Sequence, residues 1–580
     1  MRLPWTWQEI AALFLLCLVV LLLAAPGMGS ALMLDDLDQL QHVQQFHSWK
    51  DVLKQDCYGL FRPIKNALYY AAHVNGTPSL TAWHSINLAA YLAATAGVYL
   101  FLRELIPARA WAFAGTCLWA TSSTQATTAV WMSCVHISVA VFFTCLALRL
   151  HDRSWSGRTG RWLPATLLAM FLAMASYETA ICVAPLCVLL DHHRGRRIFS
   201  KPALLRYSAI ALVTAAYLGV RITQGATYQA LNPAFDPALT GWQLSVSSPW
   251  FLWKHFSMWF FPFGRIEFVS AYLWGKSAPL WHLGLAWGFL AALIATVVFT
   301  RKRLPLVSFG LAWFLIASFP ASNLIPVRSG PIEDYYLVFP SVGLAIALSG
   351  AAMALAKLVT SRREVVIRTV AITSLVVIAA GKIASGAYFH HQAGLWTRPL
   401  DLYLSIVATR PLQVQAMNLA ARELYSRGDR STAAMLAGEA QPLAPWHPSS
   451  QMILGAIACD EGRHEEAISR LTDCIAHLKG GSNLEDYCQL RLGDSLAALG
   501  KSAEAREAWV RILVRQSSPQ HFDATLRLAG LYRREGNREK AIQTLQRSLS
   551  LHPERSAEIG AILRDLVQDP SSITPPAPVE

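Results

Sequence analysis

Two adjacent carboxylates, Asp35 and Asp36, stand in the stretch Leu34-Asp35-Asp36-Leu37-Asp38, soon after the first apolar run of the chain. Acids beside an apolar phase are costly to desolvate unless they have a partner or a task. If one of them faces a cavity, it can accept a proton from an incoming nucleophile while its neighbour sets position and charge. The same residues equally suit a helix start, because Asp is a favoured N-cap and acids in a first turn complement the helix dipole. Other polar residues recur at matching places. Arg62 precedes Pro63 in the same polar stretch, His73 follows, and His84 and Asn87 open the next apolar run. Glu178 lies between two short apolar runs and Arg221 ends another. Asn323, Arg328, Glu333 and Asp334 occupy a short polar segment near the start of a later one. Singly, the arginines can snorkel from an apolar phase, and His84 and Asn87 can bond helix ends. Together they suggest a surface that handles an anionic, lipid-borne substrate.

The elements that must position these residues follow from composition. Of 580 residues, 54% are hydrophobic and 15% charged, against about 25% charged in ordinary soluble domains. The apolar excess is confined to roughly 10–387. Beyond about Thr397 the chain reads as a soluble helical protein rich in Ala, Leu, Glu and Arg. A membrane-crossing helix needs about 20 apolar residues. Candidates fall at 10–25, 84–102, 109–124, 127–148, 162–176, 178–190, 203–221, 281–299, 305–320, 336–356 and 366–387, about eleven in all. The first is read as an uncleaved helix, since no small-x-small cleavage site stands out.

Net charge is +13, which invites a nucleic-acid reading, but the positive charge is clustered at the ends of apolar runs, as in Arg194–Lys201 and Arg301–Arg303. That is the mark of cytoplasmic loops. With the N-terminus inside, every basic cluster falls inside, and an odd number of spans puts the C-terminal part outside. The pattern requires 222–280 to begin and end outside, with the Trp- and Phe-rich 249–263 as an interfacial helix. The outer segments are then 27–83, 222–280 and 320–335, and all the polar candidates above lie on that one face. The ten cysteines show no C-x-x-C and no zinc spacing. A divalent metal is possible but not indicated. Cys474 and Cys488 could pair in an oxidising compartment, but spacing alone does not establish it.

Four glycines, Gly428, Gly462, Gly500 and Gly536, recur at spacings of 34, 38 and 36, close to the roughly 34-residue tetratricopeptide period. Ala433, Ala467, Ala505 and Ala541 each follow five residues later, and Gly455 and Gly493 fall where paired helices meet. The expected fold is therefore all-α: a transmembrane domain over 1–395, about four tetratricopeptide repeats over 396–567, and a Pro-rich disordered tail over 568–580.

The order of features resembles the membrane O-mannosyltransferases with luminal tetratricopeptide repeats, within the GT-C glycosyltransferase superfamily. The residues that carry the resemblance are Asp35-Asp36, Phe61-Arg62-Pro63, His84-Ser-Ile-Asn87, Tyr177-Glu178, Pro320-Ala-Ser-Asn323 through Phe339-Pro340-Ser341-Val342-Gly343, and Trp396 leading into the repeats. The resemblance implies inverting sugar transfer from a polyprenyl-phosphate donor to an acceptor hydroxyl, expected on protein Ser or Thr. It implies Asp35 or Asp36 as the base. It also implies a lipid-phosphate and substrate site drawn from Arg62, His84, Asn87, Glu178, Arg221, Arg265, Asn323, Arg328 and Asp334. The repeats would recruit the acceptor protein. The chain departs from the family pattern where Asp334-Tyr335 replaces an acid–arginine pair, at Tyr91, and at His136, so a divergent, bacterial inner-membrane member is expected. The alternative is a non-catalytic repeat scaffold for envelope proteins; a transporter fits less well, because its sites lie near the midplane.

Overall fold

The computed structural model describes residues 6–73, 76, 79–155, 159–224, 241–261, 280–324, 333–361, 364–409, 414–478, 482–516 and 518–568. The expected tail 568–580 falls almost wholly outside them, as do Arg265 and Arg328. Described secondary structure is helical, without strands. The chain divides into two compact units, Met1–Gln413 and Val414–Glu580.

In the first unit a helix occupies each of the eleven positions expected from hydropathy. Among the described residues, seven are long and apolar enough to cross a membrane: Trp7–Gly27, Leu80–Leu105, Met132–Ser154, Lys201–Thr223, Leu283–Thr300, Asp334–Thr360 and Val365–Leu395. The remaining four positions carry shorter helices, of which Arg109–Ala120 and Val183–His193 still lead from one end of the bundle to the other. Arg109–Ala120, Val183–His193 and Pro305–Ser318 are 12, 11 and 14 residues long. Each falls short of the roughly 20 residues that a bilayer requires. The aromatic segment is longer than expected, a helix over Gly241–Phe260 with Phe251 and Trp259 fully buried. Several long helices turn large apolar side chains outward: Phe14 and Leu22, Leu205 and Leu212, Leu285 and Phe299, Val366 and Val377. Water-facing helices carry polar residues there.

The ends of these helices differ. At one end, arginines meet four acids in a chain of ion pairs. Glu9 meets Arg103 and Arg109 at 2.7 and 2.8 Å, and Glu104 meets Arg149 and Arg153, both at 2.9 Å. Asp152 pairs with Arg194 and Arg196, and Asp191 with Arg196, His151 and Tyr207. The basic clusters at the ends of the apolar runs are thus also the ties between helix ends. The opposite end carries the segment 28–79, which forms helices Asp36–Gln44 and Pro63–His73. Val43, Phe46, Tyr69, Tyr70 and Trp83 pack it onto Met132 and Val135.

The second unit contains four helix pairs: 414–426 with 430–443, 448–460 with 464–476, 483–498 with 502–513, and 521–534 with 538–551. The four spacing glycines all adopt positive φ, between 73° and 85°, the left-handed geometry that ends a first helix. Ala433, Ala467, Ala505 and Ala541 are wholly buried. A Cβ at Gly493 would strike the Trp509 indole, which is itself buried. Replacing Gly493 with Ala should therefore destabilise this unit by about 1–3 kcal/mol through overpacking. The measurement is thermal unfolding of the full chain, and the same substitution at Gly438, where a Cβ would meet nothing, should be neutral or slightly stabilising.

Candidate functional site

Between helix Arg109–Ala120 and helix Val135–Ser154 the backbone breaks into 3-10 turns and one short helix, and residues 122–135 are all buried. Buried irregular backbone must find hydrogen-bond partners. Several of the residues expected to bind substrate supply them. Asn87 Nδ2 donates to the carbonyls of Thr128 and Ala129 at 3.1 and 3.0 Å. His84 lies 3.2 Å from the Val130 carbonyl through Nδ1 and 2.9 Å from that of Ser30 through Nε2. Tyr91 donates to the Ala120 carbonyl at 2.8 Å. His84 and Asn87 thus hold the broken segment, and Tyr91, which departs from the family pattern, does the same work.

The two adjacent acids hang from this segment unequally. Asp36 is 2% exposed. Its Oδ1 accepts from the Ser133 N–H at 3.0 Å and from the Ser133 hydroxyl at 2.5 Å, and its Oδ2 accepts from the Met33 N–H at 3.1 Å. Burial outweighs those bonds and raises its pKa to about 7. Asp35 occupies the N-cap position of helix Asp36–Gln44, yet its side chain makes no capping bond. It follows Leu34, whose φ of 53° is uncommon for a branched residue. The Asp35 carboxyl is half-buried and bonds Tyr58, and burial raises its pKa despite the nearby Lys65 and Arg62. The Tyr58 hydroxyl also donates to Asp38 at 3.0 Å.

Across from Asp35 stand Glu333 and Asp334. Asp334 accepts from the Thr127 hydroxyl at 2.5 Å, and its other oxygen has no partner among the described residues. Glu333 is fully buried, and among the described residues neither of its carboxylate oxygens has a partner. Burial, with Asp334 and Asp35 close enough to repel it, drives its pKa well above the ordinary range. Such a group is neutral or awaits a donor. Sequence reasoning named Glu333 in its polar segment but gave it no role in the substrate site. Its signal was present as two consecutive acids beginning an apolar run with no basic residue beside them in sequence, apart from Arg328. Among the described residues no group of three or more His, Cys, Asp or Glu side chains is arranged to hold a metal ion.

A second cluster lies nearby. Arg62, held extended by Pro63, grips Glu178 with two bonds, Nε–Oε2 at 2.9 Å and Nη2–Oε1 at 2.6 Å. Arg221, from the last turn of Lys201–Thr223, reaches Glu178 at 4.0 Å and the Tyr217 hydroxyl at 3.4 Å. Arg62 also stacks over Tyr177 at 5.2 Å. Burial opposes the charge on Glu178, but Arg62 and Arg221 hold its pKa below the usual value. Asn323 is buried at positive φ and bonds the Ala321 carbonyl at 3.4 Å, so it shapes its own turn. Beside that turn lies a cavity of about 200 Å³, lined by Leu252, His255, Leu290, Leu315, Ser318 and Leu324. Among the described residues its His255 Nε2 and Ser318 hydroxyl have no partner.

In the second unit, first helices of successive pairs are tied by Tyr425 to Asp460 at 2.7 Å, Arg491 to Asp460, and Arg527 to Asp494 at 2.5 Å. The tetratricopeptide repeat family matches residues 490–556. The second unit carries tetratricopeptide repeats. The repeats suit the chain to binding protein partners. Two solved structures are similar over most of their length. The yeast Tom70 crystal structure is 11% identical, covering 82% of this chain and 95% of that one at a TM-score of 0.26. The APC/C hetero-tetramer Cut9–Hcn1 is 12% identical, covering 87% and 96% at 0.28. Scores this low carry no argument about this chain. No curated protein matches it.

Asn87→Leu should strip two buried carbonyls of their donor and cost about 1–3 kcal/mol for each group left unpaired. The expected outcome is a lowered unfolding temperature of the detergent-solubilised chain. Unchanged stability would mean that the segment finds its bonds elsewhere.

Proposed function

We propose that the chain is an integral-membrane glycosyltransferase that moves a sugar from a polyprenyl-phosphate donor to an acceptor hydroxyl at the bundle end carrying Asp35. The observation that carries this reading is the half-buried Asp35 carboxyl, free of capping duty, with a raised pKa, lying between unpartnered acids and an arginine pair. In the reaction the acceptor O–H loses its proton to Asp35 as its oxygen bonds the anomeric carbon. The bond from that carbon to the phosphate oxygen breaks, and the electron pair leaves with the polyprenyl phosphate. Arg62 and Arg221 receive the charge that develops there, since charge-assisted bonds from Arg to phosphate are among the stronger polar contacts. Glu333, kept neutral by burial, donates to a sugar hydroxyl, with Asp334 beside it. The cavity by His255 and Leu252 takes apolar chain from the donor. The apolar, outward-facing helices lie in lipid, with the arginine-tied end in the cytoplasm. The repeats then lie on the far side, periplasmic in a bacterial inner membrane, and bind the acceptor protein.

A second reading is a membrane-anchored repeat scaffold without catalysis. It is favoured by a specific observation: Asp36, His84 and Asn87 are all consumed by bonds within the protein, and tetratricopeptide repeats are a protein-binding fold.

The test is sugar transfer in membranes containing polyprenyl-phosphate sugars, read as glycan mass on acceptor proteins. Asp35→Asn should lower the rate about 10²–10⁴-fold, the ordinary worth of a positioned base, with folded protein still present. Wild-type transfer by that variant would remove Asp35 as the base. Absence of any transfer dependent on the chain, across acceptors, would favour the scaffold.

The pH profile follows from the same group. Asp35 must be ionised to accept a proton, and its pKa is raised above 3.8. Transfer should therefore fall as pH drops through that raised value, giving an acid limb above the ordinary Asp range. The residual activity of Asp35→Asn should lack the limb.

A further inference from the structure

Cys474 lies in the last turn of helix His464–Ala476, and Cys488 in the second turn of helix Asn483–Ala498. The first is the second helix of one repeat, and the other begins the next. Both thiols are fully buried, and their sulfurs are 3.1 Å apart. A disulfide bond is about 2.05 Å long, so the two sulfurs need approach by only about 1 Å to reach bonding distance. The link would join residues 14 apart across a repeat-to-repeat junction, the interface on which solenoid stability depends. We propose that Cys474 and Cys488 form a structural disulfide that fastens the second and third repeats together.

The bond forms by thiol–disulfide exchange with a disulfide oxidant of the exporting compartment. Two thiols give up their protons and two electrons, one S–S bond forms between them, and the oxidant's own disulfide is reduced to two thiols. The proposal rests on the reading that the repeats lie outside the cytoplasm, because disulfides persist in oxidising compartments and are rare in the cytosol. Its role is structural rather than regulatory. Burial and the neighbouring Cys474 raise the Cys488 thiol well above its ordinary pKa, and the thiolate is the form that reacts. The exchange therefore takes place while the repeats are folding and the thiols are still open, and the bond then stays closed.

The experiment uses the full chain in its own membrane. Free thiols are blocked with N-ethylmaleimide by lysis directly into denaturant, so that buried thiols are reached as well. The protein is then denatured, reduced and alkylated with iodoacetamide, and each cysteine is assigned by peptide mass. The expected result is iodoacetamide label on Cys474 and Cys488, and a peptide joining the two in a digest without reduction. N-ethylmaleimide on both would overturn the proposal. A parallel sample of purified, reduced chain treated with oxidised glutathione separates the two ways it can fail. If the pair closes there but is reduced in the membrane sample, the placement of the repeats outside the cytoplasm is wrong. If it does not close even with the oxidant during refolding, the juxtaposition itself is wrong. Cys474→Ser is the control, and should leave Cys488 carrying N-ethylmaleimide.

Discussion

A helix satisfies its own backbone, and an irregular segment inside a helical bundle does not. Residues 121–134 are such a segment, and the first unit is arranged around paying that debt. Asn87 and His84 reach it from the helix Leu80–Leu105, Tyr91 meets its entry, and Ser385 accepts the Ser123 N–H at 3.0 Å from the last long helix. Once fixed, the segment presents polar groups of its own: Ser133 to Asp36, Thr127 to Asp334, Gln125 to Ser341. The carboxylates at this end are therefore suspended from one buried stretch. Straightening it into helix would withdraw the partners of Asp36 and Asp334 together.

The same physics separates the two ends of the bundle. Removing a carboxylate from water without a partner costs several kcal/mol, and at the end bearing Glu9, Glu104, Asp152 and Asp191 the chain meets that cost with arginines. At the other end Lys65 meets Asp56 in a fully buried pair at 3.0 Å, and with Arg62 it holds Asp56 down at about 2 although burial works against it. Among the described residues Glu333 receives no such partner. This contrast is the physical reason to look for chemistry there.

Much of the fold could be read from the amino-acid order, because its signals are local. Glycine spacing and buried alanines declare the repeats, and apolar runs locate eleven helices of the first unit. Length was harder to read: the runs near 109–124 and 178–190 are interrupted by 3-10 turns that hydropathy does not register. The site was legible only as a neighbourhood. Asp35 and Asp36 are equivalent in sequence, and what distinguishes them is Ser133, 97 residues away. Asn87 and His84 looked like ligand contacts because nothing in sequence announces that 122–135 is buried and unpaired. Arg62 and Glu178 form an ion pair 116 residues apart, which their common face suggested and their geometry sharpened.

The central claim is that the end bearing Arg62 and Arg221 receives a lipid-linked phosphate. Photo-crosslinking tests it most directly, with a photoactivatable polyprenyl-phosphate sugar analogue and the purified chain in bilayer discs. The account predicts adducts that saturate, are competed by unlabelled donor, and map to residues around Arg62, Glu178 and Arg221. Adducts that do not saturate, or that map instead to the arginine-tied end around Glu9 and Arg103, would contradict it.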